Sequence, residues 1–150
     1  MHFTIATVKA LSPLLALAAW GAMSEQQAEA VFEKHRAWFE YVVQRVATSR
    51  DIHRIELPGN FFEKRDRPKL NLEDQKIYLD VQTGMKDAMV RSIEVVGPGY
   101  DVKKLVSFVM DGRFTAIMAV SPGYRVEDFI SPDEKCRPLV DARWYVCTTE

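Results

Sequence analysis

Between residues 24 and 47 the apolar positions recur every three or four residues. They are Ala28, Val31, Phe32, His35, Trp38, Phe39, Val42, Val43 and Val46, with Glu25, Glu29, Lys34, Arg36, Glu40, Gln44 and Arg45 between them. That spacing gathers one wide, aromatic face on a helix from Glu25 to about Ala47. Ser24-Glu25-Gln26-Gln27 starts it as a capping box, the serine oxygen accepting from the third helical N–H and Gln27 reaching back to the serine N–H. A face this broad suits packing across a sheet.

Further along, the rhythm shortens. Asp51–Leu57 alternates and reads as a short strand. Ile77, Leu79 and Val81 alternate with Tyr78, Asp80 and Gln82, which predicts a half-buried strand over Lys76–Gln82. A helix capped by Asn71 and stopped by Gly84 is the competing reading. Ala88–Val96 predicts another strand, with Val90, Ile93 and Val95 as its apolar positions, and Gly97-Pro98-Gly99 turns the chain after it. Two β-prone runs then flank Asp111-Gly112, the strongest short-range hairpin signal in the chain. With that two-residue loop, Val109 pairs with Phe114, Phe108 with Thr115, Ser107 with Ala116, Val106 with Ile117 and Leu105 with Met118. Opposed residues share a face. One face holds Leu105, Val109, Phe114, Ala116, Met118 and Val120; the other holds Val106, Phe108, Ile117 and Ala119. Ser131-Pro132-Asp133-Glu134 reads as a helix start, and Ala142–Thr148 as a last strand. Strands joined by short turns are antiparallel. The expected fold is α+β: a long N-terminal amphipathic helix packed on a four- to five-stranded antiparallel sheet, a meander.

The hairpin raises a question, because both of its faces are largely apolar and one long helix covers only one of them. The leader, the 50–75 connector or another protein would have to cover the second. Val106, Phe108 and Ile117 are therefore candidate partner-binding residues.

Residues 1–22 read as a signal peptide or N-terminal anchor, and 23–150 as a single domain. Lys9 is the only charged side chain before Glu25, and an apolar run from Ala10 to Met23 follows it. That run has signal-peptide size and is short for a membrane span. Ala19-Trp20-Gly21 meets the small-residue rule for a cut after Gly21. Retained as an anchor over residues 3–23, the segment would hold a lysine near its middle, at about 3 kcal/mol on insertion scales. A buried helix of a cytosolic domain is the third reading. Export, to a periplasm or the medium, is the expectation.

At 150 residues, with 47% apolar and 27% charged side chains, the chain has enough material for one well-packed core. The formal net charge is -1, so no global basic field favours nucleic acid, which is not an expected partner. Local charge is another matter. Phe61-Phe62-Glu63-Lys64-Arg65-Asp66-Arg67-Pro68-Lys69 couples two aromatic rings to four cations. Phe61, Phe62, Lys64, Arg65 and Arg67 are the second set of candidate contact residues, for an anionic group or a partner surface. The bland alternative is a solvated loop pinned to the core by its phenylalanines.

Cys136 and Cys147 are the only cysteines, and in an exported chain they predict one disulfide, worth roughly 2–3 kcal/mol in the chain-entropy model. Their spacing fits no zinc motif, and no Walker loop, dinucleotide fingerprint, zincin motif or nucleophile elbow occurs. No cofactor or metal is expected. His35, lying on the apolar helix face, reads as a core-rim histidine. Two functions remain. The favoured one is a small exported protein-binding or accessory protein, such as an inhibitor, immunity protein or secretion-system subunit, whose partner is another protein. The other is a small enzyme or carrier with a cavity between helix and sheet, lined by Trp38, Phe39, Tyr78 and Phe108 with His35 or Asp80 as its polar group. A membrane-anchored subunit is the variant in which the leader stays.

Overall fold

A computed structural model describes residues 23–97, 105–110, 115–139, 141 and 143–149. The leader, the Pro98-Gly99 and Asp111-Gly112 turns and Ala142 lie outside them. The first helix, α1 (Glu25–Ala47), follows the sequence pattern closely. Ser24 Oγ accepts from the Gln27 N–H at 3.1 Å and Gln27 Oε1 from the Ser24 N–H at 2.8 Å. Ala28, Phe32, Phe39, Val42, Val43 and Val46 are buried. His35 is half-buried and leaves helical geometry (φ -113°, ψ 22°), kinking α1 at its middle.

Six antiparallel strands are seen among the described residues, more than the expected four to five. They are β1 (Arg54–Glu56), β2 (Val90–Val96), β3 (Leu105–Met110), β4 (Thr115–Val120), β5 (Glu134–Pro138) and β6 (Trp144–Thr149), in the spatial order β1-β2-β3-β4-β6-β5. Two helices precede β2, namely α2 (Phe61–Asp66) and α3 (Leu72–Met85). α1 lies across β4 and β6, and α3 beside it across β1 and β2.

The Lys76–Gln82 strand is corrected to part of α3. Asn71 Oδ1 accepts from the Asp74 N–H at 2.8 Å and caps the first turn. Ile77, Tyr78, Val81, Gln82 and Met85 are buried at helical spacing, while Leu79 points to solvent. Gly84 does not stop this helix. A Cβ there would sit 2.2 Å from the Trp38 indole nitrogen, so the bare glycine lets α1 and α3 approach. Residues 131–134 are likewise not a helix start. The Ser131 and Glu134 side chains do bond, at 3.0 Å, but the chain then enters β5 and pairs with β6.

The β3–β4 register differs from expectation by two residues. Val109 pairs with Ala116, Phe108 with Ile117, Ser107 with Met118, Val106 with Ala119 and Leu105 with Val120. A strand's side chains alternate with period two, so a slip of two keeps every residue on its expected face. The face bearing Val106, Phe108, Met110, Ile117 and Ala119 lies under the helices. Rings of Phe32, Phe39, Phe108 and Trp144 fill the space there, with centroids 4.8 Å apart for Phe39 and Phe108 and 4.9 Å for Phe32 and Trp144.

Candidate functional site

The opposite, outer face of the sheet divides in two. At one end Leu105, Met118, Val120 and Cys147 form a second small core with Val126, Phe129 and Ile130 from the β4–β5 connection. The disulfide stands at this end's margin. Cys136 on β5 faces Cys147 on β6, with the sulfurs bonded, so the edge strand is stapled to its neighbour.

At the other end no described element crosses the face. That end forms an open trough of about 230 Å³ floored by Ser107, Val109, Ala116 and Met118. Glu94 and Val96 of β2 form one wall, and Phe129 and Glu134 the other. Val96 is 41% exposed. Ser107 is 5% exposed, and its hydroxyl has no hydrogen-bond partner among the described residues. Glu134 Oε1 accepts from the Ser131 N–H at 3.1 Å and Oγ at 3.0 Å. Glu94 Oε1 accepts from Arg54 at 2.9 Å.

Arg54 links the trough to the aromatic segment. Arg54 and Glu56 share the outer face with Glu94 and Ser92, by strand register. The Arg54 guanidinium lies 4.7 Å from the Phe62 ring centroid, and Arg65 lies 5.2 and 5.0 Å from Phe61 and Phe62. The two rings meet edge to face at 5.6 Å. This segment is the helix α2, not a loop, because Asn60 Oδ1 caps it at the Glu63 N–H, 3.0 Å away. Glu63 is buried beneath and holds Arg67 at 2.9 Å. Asp66 accepts from Arg65 Nε and Nη2, and that bonding holds its carboxyl below the usual range. Phe61 is 67% exposed and Lys64 is also exposed.

A buried polar cluster props up α2. The Glu56 N–H donates to the Tyr78 hydroxyl at 2.9 Å, Gln82 donates to the Glu56 carbonyl at 2.6 Å, and Asn60 donates to the Glu56 carboxylate at 2.8 Å. Burial pushes the Tyr78 hydroxyl above its usual range, and the Glu63 and Glu56 charges add to that. Glu56, Asn60, Tyr78 and Gln82 thus each have a partner, as a supporting frame requires.

The two sets of candidate residues therefore part company. Phe61, Phe62, Lys64, Arg65 and Arg67 stand together on α2, with the rings, Lys64 and Arg65 turned outward. Val106, Phe108 and Ile117 are buried under the chain's own helices and offer no surface. The residues the sequence reading passed over are Glu94, Val96, Ser107 and Glu134. For Glu94, Val96 and Ser107 the sequence signal is the alternation of β2 and β3, which sets Glu94 and Ser107 opposite one another, and Glu134 on β5 has none. Asp80 does not point into a cavity either; it accepts from the Tyr41 hydroxyl and lies 3.6 Å from Arg45 on the helical side. No helix among the described residues is long and apolar enough to cross a membrane. No family model matches this chain, and neither curated proteins nor solved structures give a significant match.

Proposed function

We propose that the protein is a small exported binding or accessory protein, of the inhibitor, immunity-protein or secretion-subunit kind, which engages another protein. Its contact surface is the open half of the outer sheet face together with α2. The observation that carries this reading is the open trough lying next to exposed aromatic rings on a buttressed helix. Exposed rings beside cations are the composition that interface hot spots favour. The apolar leader and the Cys136–Cys147 disulfide support an oxidising location.

A carrier or enzyme with its cavity between helix and sheet is the weaker reading, because stacked aromatic side chains occupy that space. The test is recovery of the tagged full chain from its native host. The expected result is a stable complex in the extracytoplasmic fraction, with a mature mass beginning at Ala22 and with two alkyl groups added by a thiol reagent only after reduction. Phe61→Ser should abolish the complex while changing stability by no more than about 0.5 kcal/mol. A chain recovered alone from the cytoplasm, or one that turns over a small molecule, would contradict the proposal.

A further inference from the structure

We infer that the trough accepts an extended polypeptide segment in which one apolar side chain is flanked by lysine or arginine. This rests on the binding-protein reading and names the partner chemistry for the same surface. The volume of about 230 Å³ is below the roughly 300–1,000 Å³ of small-molecule sites and suits one or two side chains. The floor is apolar at Val109, Ala116 and Met118, and a carboxylate stands in each wall, Glu134 on β5 and, on β2, Glu94, which shares Arg54 with Glu56 so that the three together keep one net negative charge. Basic groups at both ends of an apolar side chain match that charge distribution. Ser107 supplies the independent sign of a ligand. The Ser107 side chain is nine-tenths buried and lines the trough, and its hydroxyl, with no partner among the described residues, opens onto it. A hydroxyl left unpaired by the protein is available to a ligand, and a main-chain amide or carbonyl of the segment bonds it.

An extended strand places residues i, i+2 and i+4 on one face. The probe is therefore the peptide Ac-Lys-Ser-Leu-Ser-Lys-NH2, titrated into the ¹⁵N-labelled, disulfide-intact protein and followed by NMR. Saturable shifts at the Val96, Ser107 and Ala116 amides are expected. Binding should weaken about tenfold in Glu134→Gln, and by a similar factor when both lysines of the peptide are replaced by glutamate. Ser107→Ala, which leaves every charge in place, should also weaken it. Unchanged melting of both variants shows that the fold is intact. Equal binding of the glutamate peptide, equal binding of a peptide with serine in place of leucine, or shifts confined to another face would overturn the assignment. If no peptide binds but the native partner still requires Phe61, the basic–apolar assignment falls and the binding-protein reading stands.

Discussion

The two faces of this sheet carry apolar side chains in similar number but are finished differently. Under α1 and α3 every large side chain meets another, and Phe39, Phe108 and Trp144 have no more than 1% exposure. On the outer side, among the described residues, one end is covered by Val126, Phe129 and Ile130, and the other holds a trough lined by Glu94, Ser107 and Glu134. The inner face is thus packed throughout, whereas the described part of the outer face is packed at one end. Alternation alone could not distinguish them, since both strands of the β3–β4 pair are apolar on both sides. Coverage by distant segments decides it.

The contrast can be broken most forcefully in the core. Phe108→Ala should cost about 3–5 kcal/mol in urea unfolding, whereas Val109→Ala, one residue along and on the outer face, should cost less than about 1 kcal/mol. Equal costs would mean that the outer face is packed like the inner one. Replacing both Cys136 and Cys147 by serine should remove about 2–3 kcal/mol. Hydrogen exchange should then speed up in β5 and around Val126–Ile130, with α1 and α3 still protected; uniform loss of protection would show that the outer cap and the core unfold as one unit.

Gly84→Ala gains about 1 kcal/mol of helix propensity. It also drives a methyl group into the Trp38 ring, so the net effect should be a loss of about 1–3 kcal/mol. A stabilised variant would contradict the close approach of α1 and α3.

The smallest effect concerns pH. The Tyr78 hydroxyl titrates above its usual value near 10 when folded, so between those two values the unfolded chain has lost a proton that the native state keeps. Stability should therefore hold below pH 10 and fall as pH rises from about 10 toward the folded value. Tyr78→Phe should flatten that decline while giving up the bond to the Glu56 N–H. Melting temperature followed from pH 8 to 11 in both proteins checks this; identical alkaline slopes would rule Tyr78 out as the cause.

Local chemistry made some elements legible and misled in others. α1 could be read to the residue because its capping box and its three-four spacing agree. Residues 76–82 carry both periods. Ile77, Leu79 and Val81 alternate, yet Tyr78 and Gln82 are the polar-tipped residues that the helix buries, each through a bond to β1. At Ser131–Glu134 the side-chain bonds of a helix start do form, but pairing with β6 and the disulfide draw the chain into a strand. The Phe61–Arg67 segment was visible as an unusual cluster of rings and cations. The trough was not, because Glu94, Ser107 and Glu134 come from separate strands and meet only through the β1-β2-β3-β4-β6-β5 order.

Val96 and Leu79 form a matched pair for testing which side of the molecule binds. They are 41% and 44% exposed, Val96 beside the trough and Leu79 on the outward side of α3. A photo-crosslinking amino acid should be placed at each position in turn, in the native host. The account predicts a discrete protein adduct from position 96 and none from position 79. An adduct from position 79 alone would contradict it.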